Sequence, residues 1–177
     1  MKLLFLTTLL LFGSSFAATL QEAQTLLEGD KYVQAANMAS NLNTEAGDLL
    51  AAKALVTGYV KFPKSERIEK MSMAEKYALK ALERKNSAEG HFWLGSAVGY
   101  ILAEKGVGAL PRVPEVKGHY EEALKLDPNH ADATFGLAQW HLNVPPFLGG
   151  QISEAEKLFA RAVDLGPKKV SYRLFYA

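Results

Sequence analysis

Four histidines are the side chains of this chain with the widest chemistry, because an imidazole can bind a metal ion or transfer a proton near neutral pH. No two of them follow the H-E-x-x-H motif or another ligand spacing typical of a metal site. We therefore predict no metal site and interpret them as surface or helix-packing residues. The four stand at His91, His119, His130 and His141.

Nucleophilic and redox chemistry also lack their usual motifs. The chain has no cysteine, which excludes disulfides, thiolate metal sites and a cysteine nucleophile. It has no G-x-S-x-G motif, and no order of Ser, His and Asp indicates a catalytic triad. The stretch KGVGAL from Lys105 lacks the third glycine of a dinucleotide-binding loop, and Glu121–Glu122 is expected to face solvent on a helix. The sequence predicts a protein without catalysis and without a cofactor.

The first 17 residues have the pattern of a secretory signal peptide. Lys2 is followed by the apolar run Leu3–Phe12, and GSSFA places small residues before a cleavage site after Ala17. The run is too short for a membrane anchor, which needs about 20 residues, and no lipobox cysteine is present. We expect an exported protein, periplasmic or secreted, with no integral membrane segment after cleavage and one domain from Ala18 to Ala177.

The mature chain is electrically balanced. The full chain has 20 Lys and Arg residues, and losing Lys2 leaves as many cationic residues as the 19 Asp and Glu residues. A formal charge of zero gives no attraction to nucleic acid or to an anionic membrane surface. We expect neither as a partner.

An internal repeat of about 40 residues runs through the chain. Four helical stretches superpose without gaps, starting at Val33, Ser72, Pro114 and Ser153. Small or apolar residues recur in three columns at offsets of four and three, which places each set on one helix face. The columns hold Ala35, Ala74, Val116 and Ala155, then Ala39, Ala78, Tyr120 and Phe159, and then Leu42, Ala81, Ala123 and Ala162.

Helix-start signals support the repeat. Ser72 and Ser153 are predicted to cap their helices, each with a glutamate at the capping-box spacing, and Pro114 takes the equivalent position. Another helix, rich in Ala and Gly, precedes each stretch, as in residues 88–104 and 131–143. Small residues let paired helices approach closely, so the sequence predicts an all-α stack of about four helix pairs.

The pattern L-G-x2, followed by A-x3-F/Y-x2-A-x4-P, resembles the tetratricopeptide repeat (TPR) family. It occurs in LGSAV with VKGHYEEALKLDP, and in LAQWH with AEKLFARAVDLGP. His91 and Thr134 depart from the tryptophan that the family favours at their positions. The resemblance implies a right-handed superhelical stack of helix-turn-helix repeats, about four of them, over nearly the whole mature chain.

The resemblance also implies which residues face a concave groove, because the first helix of each TPR pair lines it. These residues would form an apolar and aromatic surface with a few hydrogen-bonding groups, suited to a peptide segment or a small apolar molecule. Trp93 and Trp140 lie on the same helices and are interpreted as core residues. The groove residues are Tyr59, Phe92, Ser96, Tyr100, Phe135, Gln139 and Asn143.

Three connectors account for the length of these repeats beyond the about 34 residues of a TPR. They are Phe62–Met71, Lys105–Val113 and Val144–Ile152, each between the two helices of a pair. We expect all three on one edge of the stack, where insertions often mark a binding surface. The residues singled out on this connector edge are Leu110, Pro145, Pro146, Phe147 and Leu148.

The apolar pair Phe147–Leu148 has two interpretations. It either tucks back onto the stack as a plug, which is the plainer one, or stays on the connector edge as a contact for a partner. The prolines before the pair end one helix, and Gly149–Gly150 after it lets the chain reverse.

Two functions fit these observations. The repeats and the neutral charge favour a non-enzymatic scaffold in the bacterial cell envelope that binds a protein partner or peptide segment. The motifs Trp140–His141 and PFLGG are similar to those of exported long-connector TPR proteins associated with TRAP-type solute transporters. That similarity implies the alternative, a binding protein for a small apolar solute or lipid, although the lipid-anchoring cysteine is missing.

The end of the chain, KKVSYRLFYA, resembles the start of another first helix without its second helix. Because a helical stack needs a polar outer cap, three explanations are open. The segment docks as a short cap, which we favour, or the chain stops short of its natural end, or a partner covers that end.

Overall fold

The computed structural model describes residues 17–169 and Tyr172. The signal peptide predicted over residues 1–17 lies outside this range except for Ala17, and so does the predicted last helix except for Tyr172. The chain divides into two compact units, Met1–Lys85 and Asn86–Ala177, so the single domain expected from sequence stays a prediction. Within the described part of the chain, no helix is both long and apolar enough to cross a membrane.

From residue 17 onwards, the first unit contains four helices joined by short turns. Tight turns hold the connections: Lys31 N–H donates to the Leu26 carbonyl at 2.9 Å, and Thr44 caps α3 by accepting from Gly47 N–H at 3.2 Å. Helix α3 packs on both α2 and α4. The helices are α1 over residues 17–28, α2 (Tyr32–Ser40), α3 (Glu45–Thr57) and α4 (Lys64–Arg84), with a 3₁₀ turn at Tyr59–Lys61.

One ion pair crosses the interior of the first unit. The carboxylate of Asp48 on α3 is only 1% exposed and accepts from Arg84 Nε on α4 at 2.9 Å. A buried carboxylate needs such a partner, because desolvation strongly disfavours an unpaired charge. The pair therefore fixes how α3 and α4 lie against each other.

Over residues 86–169, the second unit repeats the arrangement with four further helices. Ser87 caps α5 by accepting from Gly90 N–H at 3.3 Å, and the His130 ring caps α7 by accepting from Ala133 N–H at 3.1 Å. Consecutive helices pack on one another, and α5 also contacts α7. The helices are α5 (Ala88–Lys105), α6 (Val113–Leu126), α7 (Ala131–Asn143) and α8 (Ile152–Leu165), with 3₁₀ turns at Gly106–Arg112 and Pro146–Leu148.

Tyr120 of α6 fills the space between the two glycine-bearing helices of this unit. A Cβ added at Gly136 of α7 would lie 2.7 Å from the Tyr120 ring, and one at Gly95 of α5 would lie 3.1 Å from it. Ser96 Oγ is 3.3 Å from the Tyr120 hydroxyl, and burial raises the pKa of Tyr120 to about 12. The small residues predicted to permit close helix packing do so here around one large ring.

The predicted repeat columns are the core of both units. Every member of the three columns is buried except Leu42, which lies beyond the end of α2 and is half-buried. Trp93 and Trp140 are also buried, as their interpretation as core residues requires. The all-α helical repeat fold is thus confirmed.

Two of the predicted helix starts are wrong. Helix α4 begins at Lys64 and runs through Ser72, so most of the first connector is helical. Helix α8 begins at Ile152 rather than after a Ser153 cap, because the Gln151 carbonyl already accepts from Ala155 N–H at 3.0 Å and closes the first turn. Pro114 stands in the first turn of α6, as predicted.

Candidate functional site

Two predicted groove residues, Phe92 and Ser96, are buried one turn apart on α5. Ser96 Oγ donates to the Phe92 carbonyl at 2.8 Å. The Phe92 ring lies against the rings of Trp93 and His130, with centroids 4.5 and 5.3 Å apart. Both side chains make their contacts within the unit, and a ligand-facing role for them stays a prediction.

Phe135, the central predicted groove residue of α7, is covered by the chain's own Tyr172. The two rings stack with centroids 4.7 Å apart, and Tyr172 is only 2% exposed. The Tyr172 hydroxyl donates to Asp132, which also binds the Lys169 ammonium. Burial and the Asp132 carboxylate both raise the pKa of the tyrosine. Tyr172 thus packs on α7, while the predicted capping helix to which it belongs lies outside the described residues.

The remaining groove predictions are more accessible. Tyr100 and Gln139 are half-buried, and burial raises the pKa of Tyr100. Asn143 is exposed and donates through Nδ2 to the Gln139 carbonyl at 2.8 Å. Tyr59 belongs to the first unit, where the Arg67 guanidinium lies 4.9 Å from the centre of its ring. A ligand-facing role at these four positions stays a prediction.

The buried Trp140 indole joins the two connectors of the second unit. Its Nε1–H donates to the carbonyl of Val113, where the first of them ends, at 3.0 Å. The far edge of the ring lies against Gly149 in the second connector, where an added Cβ would be 3.3 Å away. The Lys117 ammonium lies 5.4 Å from the ring centroid. The Trp140 side chain therefore contacts both connectors, while the shared edge of all three connectors stays a prediction.

A compact turn supports the second connector. Helix α7 ends at Asn143, and the backbone N–H groups of Gly149 and Gly150 donate to the carbonyls of Pro146 and Pro145 at 3.0 and 3.2 Å. Gly149 has φ +100°, a left-handed conformation that glycine adopts without a steric penalty. The turn thus has a defined shape imposed by its own hydrogen bonds.

Large apolar side chains on this turn and directly after it are exposed to solvent. Phe147 is 82% exposed and Ile152 is 65% exposed, although both are large hydrophobic residues. The plug interpretation is therefore wrong for Phe147, while Leu148 is half-buried. Leu110 on the neighbouring connector is 41% exposed. We call Pro145, Pro146, Phe147, Leu148 and Ile152 the connector patch.

Beneath the connector patch lies a histidine with an unusual environment. His141 is 6% exposed, and its Nδ1 atom has no hydrogen-bond partner. Burial, helped by the Lys117 charge, lowers the pKa of His141 and keeps the ring neutral. An imidazole without a hydrogen-bonded acid or base beside it gives no indication of catalysis.

Two surface clefts are lined by residues of the first unit, and neither lining includes a predicted site residue. One, of about 420 Å³, is lined by Asp30, Lys31, Tyr32, Val33, Gln34, Lys61 and Phe62. The other, of about 330 Å³, is lined by residues of α4 such as Ser72 and Leu79. Among the residues that the structure describes, no three His, Asp or Glu side chains are grouped to hold a metal ion.

Sequence reasoning located part of this surface and missed the rest. The proline and glycine neighbours of Phe147 single it out in the sequence. Ile152 is marked there only as the last residue of a connector. The sequence predicts Trp140 only as a core residue, and it does not predict that the indole contacts both connectors. Its hydrogen bond to a carbonyl 27 positions away depends on tertiary packing, which no local pattern reveals.

Solved structures support the fold assignment. The thermophilic TPR protein TTC0263 of Thermus thermophilus has a TM-score of 0.68 at 19% identity, covering 90% of this chain and 78% of that one. YrrB, described as a TPR protein with an unusual peptide-binding site, has a TM-score of 0.35 at 14% identity over 89% of each chain, which is too low to add support. A search of curated proteins found no match.

A family comparison covers almost all of the described residues. The family whose model matches residues 19–174 is described as regulator of microtubule dynamics protein 1-3. The narrower resemblance to transporter-associated exported TPR proteins is not confirmed. The chain has the TPR fold, and it belongs to the regulator of microtubule dynamics protein 1-3 family.

Proposed function

We propose that this protein is a non-enzymatic scaffold that binds another protein through the connector patch. The observation that carries the proposal is the 82% exposure of Phe147 on a hydrogen-bonded turn. Contiguous exposed apolar groups on a soluble domain commonly mark an interaction site. An aromatic residue held on such a turn is a suitable anchor for a pocket on the partner.

The support beneath Phe147 strengthens this proposal. The turn is closed by its own backbone hydrogen bonds and rests on the buried indole of Trp140. A contact residue that is ordered before binding loses less conformational entropy when the complex forms. The connector patch therefore has the features of a preorganised contact surface.

The partner that fits is a protein with an apolar pocket. The connector patch itself contains no ionisable side chain, since its members are prolines, aliphatic residues and one phenylalanine. A charged ligand such as a phosphate would find no counter-ion among them. The family's name connects its members with microtubule dynamics, and from that we carry to this chain only the binding of a protein partner.

The alternative, binding of a small apolar solute, is not favoured. It relied on the groove that the TPR resemblance implied, where Phe92 and Ser96 are buried and Tyr172 covers Phe135. Neither of the two surface clefts is lined by a predicted groove residue.

We propose the cell envelope as the place of action, on the signal-peptide pattern of the first 17 residues. The proposal is tested by expressing the full chain in a bacterium and measuring the mass of the periplasmic and secreted protein. A chain that starts at or within one residue of Ala18 supports export. A full-length chain that stays in the cytoplasm contradicts it without affecting the proposal about the connector patch.

The scaffold proposal is tested by crosslinking the full chain in a cell-envelope extract and quantifying the protein that is captured. Two surface variants are compared with the wild type. Phe147→Ser removes the exposed ring, and Val60→Ser changes a residue that is 69% exposed in the first unit. We expect a defined crosslinked protein that the wild type and Val60→Ser recover equally and that Phe147→Ser loses. Equal recovery by all three forms would contradict the proposal.

A further inference from the structure

Two histidines of the second unit face each other through the same ring atom. Nδ1 of His91 on α5 and Nδ1 of His119 on α6 are 3.1 Å apart, and the ring centroids are 5.3 Å apart. The residues are 28 positions apart in the sequence, so the contact depends on the pairing of the two helices. The proposed scaffold function makes no use of this pair.

The second ring nitrogen of each histidine points towards an oxygen acceptor. Nε2 of His91 is 2.8 Å from Asn86 Oδ1, which makes it the protonated nitrogen that donates. Nε2 of His119 lies 4.0 Å from Glu115 Oε1. Arg112 donates two hydrogen bonds of 2.8 Å to this carboxylate.

The two facing nitrogens can be satisfied in two ways. If His91 carries its proton on Nε2, its Nδ1 lone pair can accept a hydrogen bond from a proton on Nδ1 of His119. A cation between the two Nδ1 atoms is the alternative to that hydrogen bond, and both rings then carry their protons on Nε2.

The separation of the two nitrogens suits one metal ion. Imidazole nitrogens bind zinc at about 2.0–2.1 Å, so two such ligands at angles between square and tetrahedral are about 3 Å apart. Histidine ligands of metals usually donate their other N–H to an oxygen acceptor, which orients the ring. Asn86 is placed for that role at His91, with Oδ1 2.8 Å from Nε2.

We propose that His91 and His119 bind one borderline divalent cation, such as Zn²⁺, Ni²⁺ or Cu²⁺, through their two Nδ1 atoms. Imidazole ligands favour these ions over Mg²⁺ or Ca²⁺. Both rings are partly accessible, with the His119 side chain 22% exposed, so water can complete the coordination. With two protein ligands, the bound ion links α5 to α6 near the start of the helix pair.

Both carboxylates near the pair are already held by cations. Arg112 donates two hydrogen bonds to Glu115, and Glu122 pairs with Lys125 at 3.1 Å, which keeps both outside the direct ligand set.

The test is a calorimetric titration of the untagged full chain with ZnCl₂ at neutral pH, repeated with MgCl₂. We expect one Zn²⁺ per chain, no Mg²⁺ binding, and weaker Zn²⁺ affinity at lower pH because protons compete for the nitrogens. His91→Gln and His119→Gln should each weaken the affinity at least tenfold. Asn86→Ala should weaken it by about tenfold while leaving the stoichiometry at one, since it removes only the orienting acceptor.

Glu121→Gln is the matched control, because Glu121 lies on α6 beside the site and pairs with Lys117 instead. This variant should bind Zn²⁺ as the wild type does, and circular dichroism checks that every variant is folded. Absence of Zn²⁺ binding at millimolar concentration would overturn the proposal. So would unchanged binding by the double histidine variant, or binding of Mg²⁺ as tight as that of Zn²⁺.

Discussion

At the scale of single residues, the ring of Tyr120 shows how tightly the second unit is packed. The ring touches the backbone of both neighbouring helices at glycines, and Gly136 leaves only 2.7 Å for an added Cβ. We predict that Gly136→Ala lowers the free energy of unfolding by about 1–3 kcal/mol, because the ring cannot move away without losing its own contacts. Urea denaturation measures the change.

Gly118 provides the matched control for that substitution. It lies on α6, the helix that carries Tyr120, and no atom lies within 4 Å of an added Cβ. Gly118→Ala should raise stability by about 0.5–1 kcal/mol, because alanine is the better helix former. If both alanine variants lose stability equally, the contact at Tyr120 is not the cause.

His141 gives a prediction about pH. Its pKa is lowered by burial, so the folded state binds fewer protons than the unfolded state as the pH falls through 6.5. The stabilisation is present above that pH and is lost on acidification. His141→Leu should show a smaller loss of unfolding free energy from neutral to mildly acidic pH than the wild type. An unchanged slope in the variant would exclude His141 as a contributor.

At the scale of helices, the pair Asp48–Arg84 connects α3 and α4. Arg84→Met leaves the Asp48 carboxylate buried without its cation, and we predict a loss of about 1–3 kcal/mol. Adding Asp48→Asn to Arg84→Met should recover part of that loss.

The neighbouring pair of Lys85 with Glu45 is solvent-exposed, so Lys85→Met should change stability by less than about 1 kcal/mol. Equal losses in the two single variants, measured by urea denaturation, would contradict the assigned role of burial.

The helices themselves could largely be predicted from the sequence. The apolar columns identified the buried face of α2, α4, α6 and α8, because helix periodicity is a local property that a repeated pattern reinforces. The helix starts were harder. The sequence predicts a cap at Ser72, yet the residues after Pro63 are good helix formers and the helix extends back to them.

The candidate sites could be predicted only in part. Phe147 was found because prolines and glycines in an otherwise helical chain mark an unusual segment, but its exposure depends on where Trp140 packs. The contact of His91 with His119 and the stacking of Tyr172 on Phe135 join residues far apart in the sequence. Such pairs follow from helix pairing and could not be found from spacing alone.

At the scale of the whole molecule, the TPR fold favours protein binding as the function to test. The TPR fold is a scaffold on which binding surfaces are built, and a fold alone does not define a function. Our proposal rests on the connector patch, an apolar surface on a turn closed by its own hydrogen bonds. The central claim is that Phe147 anchors a protein partner.

The most direct test is the affinity of the purified partner, once crosslinking has identified it, for three forms of the full chain. Isothermal titration should give a Kd at least about tenfold weaker for Phe147→Ser than for the wild type, since truncating an anchoring aromatic residue commonly removes more than about 1.4 kcal/mol. Val60→Ser should bind like the wild type. Equal affinities for the wild type and Phe147→Ser would contradict the account.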